Sequence, residues 1–511
     1  MRKILFLVLV ISFGFALFGQ QASEIKLKLD DAIAEALKNN LDLQIEVINP
    51  ELYQQALRKS NSFFIPQFTM SGTKSQSTSP AASAIVGATI DTNQAFRLST
   101  GLTQRLALGG TVQVNLNNTK TTTSSRYSTF NPSFNSSLGF SLSQPLLKNM
   151  GTFYTKRGIN LAINNQQKSV FALKQVVINM IYSVEDAYWI LVYAYQNLDV
   201  KNKSLKLAQD LLKQNETQVR VGVSAPLDIL TAKAEVAARE SDVIQAESQI
   251  QSAEENLRKI MNKDTKYKII PVDEPAYAGE VSTDVNQYLL EALEKRPDIE
   301  QVRIDLKSRN IDVKYYRNQL LPDLQLMATY STSGLSGDQI IFDGNPLFGK
   351  ILQVLKGGLA DSLKDVLSNL YRNYSLGLSL SVPLANDSAR ADLATAQLSL
   401  KSSLLNLKRT EANIYSEVKQ VVIDVERNQK ILDANRVARD LAEQKLSAEQ
   451  KKLSVGLTTN YQVLMFQRDY ANALITELKS VIDYNLTLSR INQVLGKTLE
   501  KHNINFTDFV K

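Results

Sequence analysis

From Lys156 to Arg220 the chain reads KRGINLAINNQQKSVFALKQVVINMIYSVEDAYWILVYAYQNLDVKNKSLKLAQDLLKQNETQVR, without a proline and with a single glycine, Gly158. A second stretch free of both residues runs from Ala389 to Ser454. At a rise of about 1.5 Å per residue, roughly 65 helical residues make a rod of about 100 Å, far longer than the helices of ordinary globular domains. Leu198, Leu205, Leu212 and Val219 recur every seven residues, with Ala208 between them. Beyond the second stretch, Ala471, Leu474, Leu478, Val481, Asn485 and Leu488 follow a three-four spacing. Such spacing predicts long antiparallel helices packed as coiled coils. The lone Trp189, with Tyr188, Tyr193 and Tyr195, falls inside the first rod and reads as packing.

The rods belong to a plan that occurs twice. Glu35-Ala36-Leu37 matches Glu291-Ala292-Leu293, and Pro66 in FIPQF matches Pro322 in LLPDL, both at an offset of 256. LGFSLSQPL from Leu138 matches LGLSLSVPL from Leu376 at an offset of 238, and Val221-Gly222-Val223 matches Val455-Gly456-Leu457 at 234. Four matches in one order mark an internal duplication. The first repeat is expected over 21–280, with an opening helix from about Leu29 to Ser62, strands at about 66–146, a long helix at about 156–220 and a return helix at about 226–262. The second is expected over 281–511, with an opening helix from about Asp284 to Asn318, strands at about 322–384, a long helix at about 389–454, a return helix at about 460–496 and a tail.

Each opening helix ends near its proline, which stops helix and starts strand. Beyond it, Gln67 to Thr73 alternates apolar and polar, Leu324 to Tyr330 does so in part, and Tyr374 to Val382 does so cleanly. Period two with small polar partners fits a barrel wall with one lipid face and one wet face. A half-buried sheet of a soluble domain reads the same locally, and the long rods argue against it. Phe96 to Leu106 and Thr111 to Asn117 also alternate, with Gly109-Gly110 between them as a hairpin signal. This extra hairpin either joins the barrel and enlarges it or forms a soluble flap. Its counterpart in the second repeat is expected as a loop from about Leu335 to Asn369, rich in Gly and Asp from Asp338 to Phe348 and amphipathic from Ile351, a plug or shield outside the cell.

Composition narrows the functional class. The 511 residues include no cysteine, which removes disulfides, thiolate nucleophiles and Cys-ligated metals. The one histidine, His502, reads as an exposed tail residue, leaving no basis for a histidine base or a metal site. The net charge of +7 comes from 58 basic and 51 acidic residues spread along the chain, with no basic run interleaved with aromatics, so nucleic-acid binding is not expected. No Gly-x-Ser-x-Gly elbow, phosphate loop or histidine-bearing metal motif occurs. A secreted hydrolase therefore has no machinery, and neither an enzyme nor a cofactor is expected. Arg2 and Lys3 precede an apolar stretch from Ile4 to Phe18 and then Gln20-Gln21-Ala22-Ser23, which predicts a secretory signal peptide over 1–20. No later apolar segment of about 20 residues is evident, so any membrane crossing is expected to be a closed β-barrel.

In their duplicated order, the signal peptide, the proline-initiated strands, the long helix, the Val-Gly-x turn and the return helix resemble the TolC-like outer-membrane efflux proteins. The resemblance covers nearly the whole mature chain. It implies an α+β membrane protein of the cell outer membrane: a homotrimer with a shared transmembrane β-barrel, continued by a long antiparallel coiled-coil helical tunnel in the periplasm. It further implies a passive exit duct of a tripartite efflux or type I secretion system, partnered by a periplasmic membrane-fusion adaptor, an inner-membrane pump and outer-membrane lipid. The residues themselves also call for oligomerisation, because open strand edges are not tolerated in lipid. The rival reading is a soluble periplasmic coiled-coil adaptor or secretion scaffold, which gives no reason for paired alternating strands behind a proline in each repeat.

The turns mark the candidate sites. Val221, Gly222, Val223, Ser224, Ala225 and Pro226 form one tip, and Val455, Gly456, Leu457, Thr458, Thr459 and Asn460 form the other. Glycine permits the positive φ of a tight reversal, whereas apolar residues at an exposed end point to adaptor contact. The resemblance implies a ring of aspartates one and two turns into the second return helix, but those places hold Gln462 and Met465, with Arg468 beyond. Asp228, the repeat equivalent of Gln462, is the carboxylate that three copies would bring to the axis; a solvated surface Asp is the equal alternative.

Overall fold

The computed structural model describes residues 23–80, 89–125, 128–222, 225–263, 267–275, 279, 284–344 and 349–509. The expected signal peptide at 1–20 lies outside the described residues. The chain forms two compact units, each drawing on both halves of the sequence. One comprises Met1–Val47, Lys174–Arg296 and Ala412–Lys511; the other comprises Ile48–Leu173 and Pro297–Glu411.

The second unit is built on a sheet. Its strands are β2 (Gln67–Pro80), β3 (Ile90–Arg105), β4 (Thr111–Thr123), β5 (Phe130–Pro145), β7 (Asp323–Phe342), β8 (Ile351–Leu355) and β9 (Tyr371–Ser381), and β1 (Ser23–Leu27) and β6 (Tyr267–Pro271) belong to the other unit. The pairing is antiparallel throughout, in the order β2-β3-β4-β5-β7, with β7 then pairing β9 along its first half and β8 at its far end. Ahead of β2, Ile65 is extended, at ψ 135, as a residue before a proline must be. The β3–β4 hairpin therefore lies within the sheet and is not a flap. Its turn closes through the Leu106 amide on the Gly110 carbonyl at 2.7 Å, with Gly109 at φ +98.

The register aligns Phe68, Leu102, Val114, Phe140, Tyr330 and Tyr374 in one row across six strands. Side chains alternate along a strand, so residues two apart share that face. It also carries Met70, Leu98, Leu116, Leu138, Leu142, Leu326, Leu376 and Leu378, while the opposite face carries Thr69, Ser99, Asn115, Ser141, Thr329 and Ser375. One face is thus an apolar belt that runs unbroken through the extra hairpin, and the other is small and polar. Both edge strands, β2 and β9, are exposed along their whole length.

The second-repeat insertion differs from the expected loop. Strand β7 continues past Leu335 to Phe342, and Ile351–Leu355 returns as β8, because Ile340-Ile341-Phe342 and the apolar run at β8 have each other as ladder partners. Helix α8 (Leu359–Ser368) follows, its first turn capped by the Asp361 carboxylate on the Gly358 amide at 2.9 Å.

Long helices supply most of the other unit, which holds the two longest of them only from Lys174 and from Ala412 onward. Helices α4 (Arg157–Arg220) and α5 (Pro226–Met261), then α9 (Asp387–Ser454) and α10 (Asn460–Val494), run antiparallel in pairs; α3 (Thr152–Thr155) is a single turn ahead of α4. Lys201 meets Asp242 at 2.9 Å and Asn215 meets the Asp228 carbonyl at 3.4 Å, so sequence increases along α4 as it decreases along α5. The buried seam of α4 is Val200, Ser204, Ala208, Leu211 and Asn215, and the heptad residues Leu198, Leu205, Leu212 and Val219 border it half-buried. Along that seam Ser204, Ala208 and Asn215 are interspersed with the larger Val200 and Leu211. One 18-residue window of α4 has mean hydropathy 1.2, apolar enough to cross a bilayer, where the sequence reading found no such segment. Half of it is buried in the protein, and Leu173, Val177, Ile181 and Leu191 are among the buried residues of α4.

Each opening helix is broken once, at positions 256 apart. Helix α1 (Leu29–Asn39) stops at Asn40, whose side-chain oxygen accepts from the Leu43 amide at 3.0 Å to start α2 (Leu41–Asn61). Helix α6 (Val285–Lys295) stops at Arg296, extended before Pro297, the first residue of α7 (Pro297–Gln319). Strands β1 (Ser23–Leu27) and β6 (Tyr267–Pro271) pair in parallel. Tyr188 donates to Asp273 at 2.7 Å and its hydroxyl lies 3.0 Å from the Leu27 carbonyl, fixing this small sheet to α4. Burial pushes the Tyr195 hydroxyl up to about 12, and it donates to the Ile269 carbonyl.

His502 is not an exposed tail residue. Helix α11 (Thr498–Lys501) returns the tail to α4, and the His502 side chain is 8 % exposed, 3.0 Å from Glu185 and 3.3 Å from Asp30. Glu185 is fully buried, with Lys501 at 2.6 Å. Burial would raise its carboxyl, but hydrogen bonds from His502 and Lys501 and the Lys501 charge outweigh it and hold the group below the usual carboxylate range. Such a group stabilises the fold fully above that range and loses the contribution as pH falls through it. Lys501→Met, which removes one of the two partners of a buried carboxylate, should destabilise the fold by about 1–3 kcal/mol at neutral pH. Thermal melts of detergent-solubilised protein should show the deficit at pH 7 and convergence with wild type at acid pH. An equal deficit at both would remove the ion pair as its cause.

Candidate functional site

The two turns at the rod ends share one construction. Past Arg220, the Val221 amide reaches the Thr217 carbonyl at 3.1 Å and the Gly222 amide the Val219 carbonyl at 3.0 Å, with Gly222 at φ +80. Val223 and Ser224 lie outside the described residues. Ala225 is extended and Pro226 opens α5, where a missing amide costs nothing. In the second turn the Gly456 amide reaches the Leu453 carbonyl at 3.1 Å, Gly456 sits at φ +74, and the Leu457 amide closes on the Lys452 carbonyl at 2.9 Å. Thr459 caps α10, accepting from the Gln462 amide at 3.3 Å. Thr458 donates to Glu449; this bond and one from Lys452 hold the Glu449 carboxyl below the usual range.

Both turns present apolar side chains to solvent. Val221 and Val455 are each 66 % exposed, and Leu457, Tyr461, Leu227 and Leu230 are exposed beside them. A Cβ on Gly222 or Gly456 would meet nothing within 4 Å, so these glycines answer a backbone requirement and not a crowded neighbour.

The sequence reading missed a polar pair that joins the tips. Asn215 of α4, 1 % exposed, accepts from the Asn460 side chain at 2.6 Å and donates to the Asp228 carbonyl at 3.4 Å. It thereby connects the start of α10 to the first turn of α5. The available signal was an asparagine three residues after Leu212, a seam position where a buried amide specifies register. Asp228 lies half-buried in the first turn of α5; Gln462 is exposed and Met465 half-buried in the first turns of α10, with Arg468 3.1 Å from the Met465 sulfur.

The sequence profile described as outer membrane efflux protein matches residues 113–263 and 289–497, more than half of the chain and parts of both halves. The chain belongs to the outer membrane efflux protein family. It is accordingly an outer-membrane transport protein and not an enzyme. Within this family it is 21 % identical over 324 residues to the outer membrane protein TolC of Vibrio cholerae, covering 63 % of this chain and 68 % of that one. Solved structures share the fold at lower identity. A membrane protein from Pseudomonas aeruginosa aligns with a TM-score of 0.66 at 17 % identity, covering 93 % of this chain and 92 % of the other. The Campylobacter jejuni CmeC outer membrane channel aligns at 0.63 with 15 % identity, over 94 % and 90 % of the two chains. The outer membrane protein VceC of Vibrio cholerae aligns at 0.62 with 15 % identity, over 92 % and 96 %.

Proposed function

We propose that three copies of this chain form a passive exit duct across the outer membrane and periplasm. The observation that carries this reading is the six-strand antiparallel path β2-β3-β4-β5-β7-β9, apolar on one face, small and polar on the other, and open at both edges. An open edge is untenable in lipid, and pairing β9 of one copy with β2 of the next satisfies both. Six strands from each of three copies close a barrel of eighteen, wide enough for a water-filled lumen. The half-buried heptad residues of α4 then have neighbouring copies to pack against in a periplasmic tunnel. In this reading residues 1–20 are a signal peptide and 21–280 and 281–511 are two structural repeats.

The tips Val221–Pro226 and Val455–Asn460 dock a periplasmic membrane-fusion adaptor that couples the duct to an inner-membrane pump, in a tripartite efflux or type I secretion system. Their exposed apolar residues support this assignment. Asp228, Gln462 and Met465 line the constriction. Three Asp228 carboxylates around one axis favour cations over anions and attract divalent blockers. Purified protein in planar bilayers should therefore conduct, prefer cations, and lose much of that preference in Asp228→Asn. Unchanged selectivity and divalent block in the variant would make Asp228 a surface residue, and absence of conductance would defeat the duct itself.

A further inference from the structure

We propose that β8 and α8 form a lip that rests on the outer leaflet of the membrane, at the boundary between headgroups and acyl chains. The inference rests on the barrel reading of the sheet. Helix α8 is seated on one face of that sheet: Ser362 and Ser136 share a hydrogen bond at 2.7 Å, Thr332 donates to the Val366 carbonyl at 3.1 Å, and Tyr330 donates to Asn369 at 2.5 Å. At Gly334 an added Cβ would fall 2.0 Å from the Ser362 carbonyl oxygen, so the helix lies directly on the strand. Tyr330, Thr332 and Gly334 are alternate residues of β7 and share the face of Phe140, Leu138 and Leu378. The helix therefore sits on the apolar-belt side and away from the small polar face, which excludes a plug in the lumen.

Its height is also defined. Ser136 lies two residues beyond Leu138 on β5, about 7 Å further along at roughly 3.3 Å per residue. That places α8 over the upper rows of the belt, from Tyr330 to the row of Leu98 and Gly334, on the side remote from the strand ends that lead into α4 and α9. The side of the lip turned from its seat is amphipathic: Leu367 is 80 % exposed, Ile351, Leu352, Leu359 and Leu370 are exposed with it, and Lys364 and Asp361 are exposed among them. A short ridge of leucines continuous with the belt and held at its upper margin, with Lys364 able to reach the headgroups, matches the chemistry of a lipid interface. In water the same ridge would be a standing liability.

The full chain has no cysteine, so single labels can be placed without altering it otherwise. Leu367→Cys, Leu378→Cys and Ser331→Cys, each carrying an NBD fluorophore, would be reconstituted as assembled protein in phosphatidylcholine vesicles. Brominated acyl chains should quench the label at 378 most strongly, and the label at 367 several-fold more than the one at 331, which aqueous iodide should quench instead. If 367 behaves like 331 while 378 is quenched from the lipid, the lip does not touch the membrane and the barrel reading survives. If 378 also behaves like 331, the barrel reading fails and the lip falls with it.

Discussion

In mild detergent the protein should run as a heat-sensitive trimer, and cysteines placed one on β2 and one on β9 should lock it into covalent dimers and trimers. The two strands stand at opposite edges of the sheet within one chain, so any disulfide between them joins different copies. The chain offers no competing thiol. Thr69→Cys combined in turn with Ser375→Cys, Gly377→Cys and Ser379→Cys samples the register on the small polar face, where a cysteine disturbs no lipid contact. One combination should give a ladder on a non-reducing gel that stops at three, and each single variant should give none. The expected effect is all-or-none. Each unpaired backbone group in lipid costs several kcal/mol, so strands of 14 and 11 residues left open lose on the order of tens of kcal/mol together. A monodisperse monomer that keeps its β-sheet signal would defeat the shared barrel.

Replacing both tip glycines, Gly222→Val with Gly456→Val, should abolish export while the channel still reaches the outer membrane. Both residues adopt positive φ, at +80 and +74, where a β-branched residue is disfavoured by about 1–3 kcal/mol each. The surroundings are empty, so the strain stays in the two turns and does not propagate into the rods. Each turn relieves it by re-aiming its exposed valine and leucine, and those are the residues assigned to the adaptor. Surface levels and trimer content should match wild type, with efflux at background. Normal efflux from the double variant would count decisively against the tips as the docking site. Loss of the trimer would instead mean that the turns serve the fold.

Several features were legible because they are local. A helix without proline or glycine, a glycine at a reversal and a period-two face are all written in consecutive residues, which is why the rods, the two turns and the apolar face of β9 can be read from the chain alone. The β3–β4 hairpin could be seen as a hairpin for the same reason. Its place inside the sheet could not, since that depends on β2 and β5 accepting it as a ladder partner. Periodicity also reported the heptad residues of α4 and Ala208 but not the rest of the buried seam, because what fills an interface is decided by how close the opposing rod comes.

The remaining features join residues far apart in sequence, and only the tertiary structure decided them. Glu185 meets Lys501 across 316 positions, Asn215 meets Asn460 across 245, and Ser136 meets Ser362 across 226. Each is a polar group whose character in the sequence is that of a solvated side chain. Burial by a distant segment turns it into an ion pair, a register-setting amide or the seat of a helix. The sequence by itself therefore determined the rods, their turns and which faces of the main strands are apolar. The structure decided what covers those faces, because the free energy of burying a charge or an amide depends on partners that no local pattern names.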